Sequence, residues 1–332
     1  MMEANQLQQQ IFNSIREKLP SHISLADELQ DLLKLSADSV YRRIRGEKTI
    51  SLPELKKICE HFHLSLDEML NLTNDSVLFN APGLTKQTVD FKEYLLAMRE
   101  QFRYFNSFPE KKMHYLCKDL PFWYFYLFPE VAAFKTFLWM KTIHNYPSMK
   151  NQLFAMDDFQ SEEYFSLGQE IIHLYNLMPS EELWNNESIN STLNQITYYR
   201  EAGIFASKTE ERKVIDSFSD MMGHLEAQCT AGRKFMPGET ETCHRGVIQF
   251  YVNELILGNN TILLNLGGKR ISLITHSVLS YLMTSDARFS DLSFNSYNSL
   301  LSRSALISVS GEKERHRFFN NVQAKIKQLR DH

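Results

Sequence analysis

Apolar residues recur every three or four positions through the first seventy residues. Leu7, Ile11 and Ile15 share one face, then Leu25, Leu29 and Leu32/Leu33, then Val40 and Ile44. Leu52, Leu55, Ile58 and Phe62 follow, and Leu66, Met69 and Leu70 close the series. A period near 3.6 predicts five short helices. Each stripe is too narrow to hold a lone helix, so the five must pack on one another. Ser24-x-x-Asp27, Ser51-x-x-Glu54 and Ser65-x-x-Glu68 each place a hydroxyl to cap a helix start and an acid in its first turn.

Only Lys34, Leu35 and Ser36 separate the second helix from the third. So short a turn forces a steep crossing, which is helix-turn-helix geometry. Ser36 is placed to cap the third helix, and Gly46 to end it just past Ile44. The span from Ser24 to Leu70 resembles the Cro/repressor-type (XRE-like) DNA-binding domain. The resemblance rests on Leu25-Ala26, Leu33-x-Leu35-Ser36, Val40-x-x-x-Ile44-x-Gly46, Leu52, Leu55, Phe62 and Leu64-Ser65-Leu66-Asp67. Two positions depart from the family. Lys34 stands where the turn usually has Gly, and a left-handed backbone there costs about 1 kcal/mol. Arg43-Ile44 stands where the helix end often has Trp-Glu. The resemblance implies double-stranded DNA as partner and transcriptional control as function.

With Val40 inward, Ile44 falls about 40° and Ala37 about 60° away at 3.6 residues per turn, so these three face the core. Asp38 and Arg42 fall opposite, with Arg45. In helix-turn-helix docking the early residues of this helix meet base edges in the major groove. Asp38, Ser39 and Arg42 are therefore expected at bases, with Ala37 reaching a thymine methyl. Tyr41, Arg43, Arg45, Lys48 and Thr49 are expected at phosphates. Residues 40–49 hold Arg42, Arg43, Arg45 and Lys48 against Glu47 alone, while the whole chain carries a net charge of −4. The DNA footprint must then be a local stripe. The competing reading is a non-catalytic adaptor whose small bundle docks a protein.

Residues 74–85 break the pattern with Asp, Asn, Pro82 and Gly83 and read as a linker between a 1–73 DNA-binding domain and an 86–332 body. Long amphipathic helices are expected over Thr88–Phe105, Ser161–Leu177, Ile189–Phe205, Thr209–Gln228 and Glu312–Arg330. Near Val247 the period changes. VIQFYVNELIL, TILLNL and KRISLIT, with Gly267-Gly268 as a two-residue turn, read as a three-stranded antiparallel meander near 247–275. The fold class expected is mainly α: a helix-turn-helix bundle and a larger helical domain containing a small meander. Residues 277–311 are rich in serine, but apolar residues at helical spacing mark them as ordered.

Twelve Gly and nine Pro in 332 residues agree with a helix-rich body. Nine of the eighteen positions from Phe122 to Trp139 are aromatic. Core packing is the plain reading of that block; a ligand pocket or dimer face is the sharper one. It is not a membrane span, because its unbroken apolar run covers seven residues and a span needs about 20. Four scattered cysteines without CxxC spacing and a polar N-terminus fit a cytoplasmic location.

Chemistry in the body is weak. Gly268-Lys269 is followed by Arg270 where a phosphate loop needs Ser or Thr. Cys59-x-His61-x-His63 and Cys243-His244 lack the spacing of a closed metal site. No cofactor and no enzymatic activity are expected. The body is expected to sense an effector or to pair two copies, a homodimer placing reading heads about 34 Å apart on half-sites.

Overall fold

The computed structural model describes residues 4–19, 23–62, 64, 66, 76–81, 90–157, 159, 162–239, 245–254, 258–277 and 279–331. The chain divides into two compact units, Met1–Leu78 and Phe79–His332.

The first unit holds α1 (Ala4–Lys18), α2 (Leu25–Leu33), α3 (Ala37–Ile44) and α4 (Leu52–Phe62). Ile11, Phe12, Ile15, Leu25, Ala26, Leu29, Leu33, Val40 and Ile58 form its buried core. Helix starts follow the sequence signals. Ser24 Oγ accepts from the Asp27 N–H (3.4 Å). At α4 the box closes both ways, Glu54 N–H to Ser51 Oγ (3.4 Å) and Ser51 N–H to Glu54 Oε2 (2.8 Å). Leu52, counted on the inward stripe, is instead 80% exposed. It opens the first turn of α4, where the stripe has not yet begun. The expected fifth helix and its Ser65/Glu68 cap lie outside the described residues, apart from Leu64 and Leu66.

The second unit is an α/β body, and here the fold expectation is corrected. In place of a three-stranded meander stands a seven-stranded mixed sheet, in the order β6-β5-β4-β1-β2-β3-β7. The strands are β1 (Lys111–Cys117), β2 (Ser180–Trp184), β3 (Ile248–Val252), β4 (Thr261–Leu266), β5 (Lys269–Ser277), β6 (Ser280–Thr284) and β7 (Ala305–Leu306). The β4–β5 hairpin turns on Gly267 and Gly268, both at positive φ as a two-residue I′ turn requires. But β3 does not join that hairpin. It pairs in parallel with β2, which pairs in parallel with β1, and of these three β1 is the one paired with β4, antiparallel.

Parallel neighbours require crossovers. The first runs through a 3₁₀ turn (Phe122–Leu127), α6 (Pro129–Leu138), a π turn (Trp139–Ile143) and α7 (Glu162–Asn176). The second runs through α8 (Asn190–Glu201) and α9 (Lys208–Ala231). α5 (Phe91–Asn106) precedes the sheet, and α10 (Ala287–Leu301) and α11 (Glu312–Asp331) end the chain. Met113, Tyr115 and Cys117 of β1 enter the main core, while Leu116 turns to a smaller cluster with Leu183, Leu263, Phe294 and Tyr297 of α10. Within the expected linker, Asn80 exchanges backbone hydrogen bonds with Met283 at the free edge of β6 (2.7 and 2.8 Å).

The aromatic block is core. Every residue from Phe122 to Leu127 is buried, as are Phe134, Phe137 and Trp139. Among the described residues no helix is long and apolar enough to cross a membrane.

Candidate nucleic-acid interface

The turn between α2 and α3 is built by Lys34, at φ 56 and ψ 46 in the left-handed region. Ser36 Oγ then accepts from the Ser39 N–H (3.4 Å) and starts α3. At the other end Gly46 (φ 79) reverses the chain. Gly46 N–H donates to Arg43 O (3.0 Å) and Glu47 N–H to Arg42 O (2.8 Å), the paired bonds of a Schellman terminus. A side chain at Gly46 would strain that left-handed turn.

Val40 is buried and Ile44 half-buried, so α3 is pegged inward along one face. Ala37, expected on that face, is exposed at the helix's first turn. Asp38 and Arg42 are exposed and Ser39 is half-buried. Of the residues expected at phosphates, Tyr41, Arg45, Lys48 and Thr49 are exposed.

Arg43 is different. It is only 5% exposed, and its guanidinium faces the interior. Nη2 and Nε donate to Glu54 (2.7 and 3.4 Å), while Nη1 donates to Ser39 Oγ (2.7 Å) and Ser39 O (3.1 Å). This fork ties α3 to the first turn of α4, which removes Arg43 from the surface stripe. Burial alone would raise the pKa of Glu54. The Ser51 and Arg43 hydrogen bonds outweigh it and hold the carboxyl below its ordinary value.

The exposed cations share one acid. Glu47 accepts from Arg45 Nε (2.6 Å) and Nη2 (3.2 Å) and lies 3.7 Å from Arg42 Nε. Its hydrogen bond to Arg45 holds the Glu47 carboxyl below its ordinary value. Such exposed pairs are worth little in water.

Gln8 was not singled out by sequence. It is buried in α1, with hydrogen bonds to the end of α3 and to the loop beyond it. The run Gln6-Leu7-Gln8-Gln9-Gln10 does not set it apart, yet Gln8 lies four residues before Phe12 and seven before Ile15, both buried. A polar residue on an inward stripe was the available signal.

In the second unit a cleft of about 330 Å³ opens beyond the carboxyl ends of β2 and β3, over Val252, Ala305 and Phe318. Arg303, Glu314 and the ion-paired Arg317 and Glu254 (2.8 Å) stand around it. His61, from the weak Cys59/His61/His63 grouping, pairs with Glu28 (3.3 Å). His63, Cys243 and His244 lie outside the described residues.

Two helices joined by a three-residue turn, the second pegged beneath and polar above, define a helix-turn-helix module. Residues 10–102 match the BetR domain, a family of helix-turn-helix-type DNA-binding domains. The match covers less than a third of the chain. It begins within α1 and ends within α5, so it is wider than the span on which the sequence resemblance rested. No curated protein and no solved structure matches the chain.

Proposed function

We propose that the chain is a sequence-specific transcriptional regulator that reads double-stranded DNA through α3, in the manner of XRE-like domains. The observation that carries this reading is the division of α3 itself. Val40 and Arg43 are buried while Ala37, Asp38 and Arg42 are exposed, with Arg45, Lys48 and Thr49 extending the polar surface. Arg42 suits guanine O6/N7 and Asp38 suits cytosine N4. Tyr41, Arg45, Lys48 and Thr49 suit phosphates, which fix register without reading sequence. The protein acts in the cytoplasm, as a homodimer and without catalysis. Its second unit pairs the copies or takes an effector, and the cleft beyond β2 and β3 favours an effector, because parallel strands present ligands at their carboxyl ends. A ligand there acts by favouring one arrangement of the paired heads.

Selection of genomic fragments with the purified full chain, followed by salt titration of the retained duplex, tests the reading. A common sequence and an affinity falling steeply with salt are expected. Retention without a shared sequence, or an affinity flat in salt, would favour a protein-docking module instead.

A further inference from the structure

Gln8 uses its whole amide on the DNA-facing end of the module. Nε2 donates to Arg43 O (2.7 Å) and to Lys48 O (2.8 Å), and Oε1 accepts from the Ile50 N–H (2.8 Å). The side chain is 7% exposed. These partners lie 35, 40 and 42 residues along the chain from Gln8. One amide from α1 thus joins the last turn of α3 to the loop after Gly46. Its neighbour Gln9 adds a bond from Nε2 to Arg45 O (3.1 Å). With all three Gln8 bonds made, the amide has one orientation, since its flipped form would set oxygen against two carbonyls.

The joined segments have different tasks under the reading proposed above, on which this inference rests. Side chains of α3 face bases, and Lys48 and Thr49 face phosphates. Base discrimination requires that the phosphate anchors hold α3 in one register. We infer that Gln8 is a positioning residue for sequence reading: it locks α3 and the Lys48–Ile50 loop into one surface without touching DNA. Charge-driven attachment needs no such lock, because any placement of the loop still offers Lys48 to the backbone. Removing the lock should therefore cost discrimination and spare nonspecific binding.

The test uses the full chain, the duplex retained by selection, and a scrambled duplex of the same length. Gln8→Met keeps length and removes every hydrogen bond. It should lower the ratio of specific to nonspecific affinity about tenfold, the scale of one lost base contact. Affinity for the scrambled duplex and its salt slope should stay as in the wild type. Ile11→Val, on the same helix and in the same core, supplies a destabilised control that should keep the ratio. A Gln8→Met protein with the wild-type ratio overturns the inference, as does an equal fall in Ile11→Val at matched stability. If Gln8→Met does not fold, Gln8→Asn keeps a neutral amide but draws it one methylene back from Arg43 O and Lys48 O and must show the same fall; an unchanged ratio there overturns the inference. A wild-type chain without sequence preference would instead bring down the DNA-reading proposal itself.

Discussion

Each unit withdraws a glutamate from water, Glu54 in part and Glu182 wholly, and they satisfy it in opposite ways. In the small unit Glu54 meets a full positive charge, the Arg43 guanidinium, at the rim of the core. In the body Glu182 of β2 is wholly buried and meets mainly neutral donors. The Tyr124 hydroxyl donates to Oε1 (2.7 Å), the Tyr175 hydroxyl donates to the same oxygen, and Trp184 Nε1 donates to Oε2 (2.8 Å). The buried lysine of that region, Lys234, is engaged by Met178 O (2.6 Å) and Tyr175 O (3.2 Å) and sits over the Tyr175 ring. The two glutamates consequently shift in opposite directions. Glu54 lies below its ordinary pKa. Glu182 lies above, because burial outweighs its hydrogen bonds. Glu54 is held by a charge from a neighbouring helix, whereas Glu182 is held by neutral donors from its own strand, from the helix just before it and from Tyr124, 58 residues earlier.

The comparison can be broken at either glutamate. The largest effect is expected in the body. Glu182→Ala opens a cavity and takes the acceptor from the Trp184 indole N–H, while the Tyr124 and Tyr175 hydroxyls keep each other (3.1 Å) and Tyr175 keeps Ser180 Oγ (3.0 Å); it should cost about 3–5 kcal/mol. Trp123, Trp139 and Trp184 all lie in the second unit, so urea melts followed by tryptophan fluorescence read that loss. Arg43→Ala should cost roughly 2 kcal/mol, since Glu54 keeps partial access to water. It should appear in helical circular dichroism, with the tryptophan transition unmoved.

Acid sharpens the contrast. A carboxylate with a depressed folded pKa stabilises above its unfolded value, and that contribution is lost as pH falls through the folded value. Glu54 should behave so, and Glu54→Gln should flatten the acid dependence of the small unit. A carboxyl with a raised folded pKa has the other sign: its ionisation opposes folding as pH rises from the unfolded value toward the folded one. Glu182→Gln should therefore remove a loss of stability that sets in as pH rises above the ordinary glutamate value of about 4.3, measured by the tryptophan melts. A smaller effect is expected at the turn. Lys34→Gly relieves the left-handed strain and should stabilise the small unit by about 0.5–1 kcal/mol, net of the added freedom of the unfolded chain.

The two regions also differ in how far their sequences disclose them. The path from α2 through the turn to α4 is written in neighbouring residues: Ser24, Ser36 and Ser51 cap, Gly46 terminates, Val40 and Ile58 point inward. Such signals act over one turn of helix and can be read locally. Strand β2 has none of them. SEELW carries two carboxylates, yet all five residues are buried. Glu181 is paired with His114 and Lys112 of β1, and Glu182 accepts from the Tyr124 and Tyr175 hydroxyls, partners that only the folded chain brings near. β1 opens on two lysines and β2 is acidic at its centre, so the parallel pairs β1–β2 and β2–β3 are hidden, and the sequence points β3 to the wrong neighbour. The same limit applied at the interface. The exposed side of α3 was legible from helical angle, but Arg43 looked like a surface cation because its acceptor Glu54 lies eleven residues on. Gln8 was hidden for the same reason, its partners lying beyond α3.

Base reading by the exposed side of α3 is what the proposed function stands on. Its most direct measurement is the affinity of the wild-type chain and of Arg42→Ala for every single-base variant of the selected duplex. A loss of about 1–3 kcal/mol is expected in the variant, with preference disappearing at one base pair and preferences elsewhere intact. A loss spread evenly over all sequences would contradict it and make Arg42 a phosphate contact.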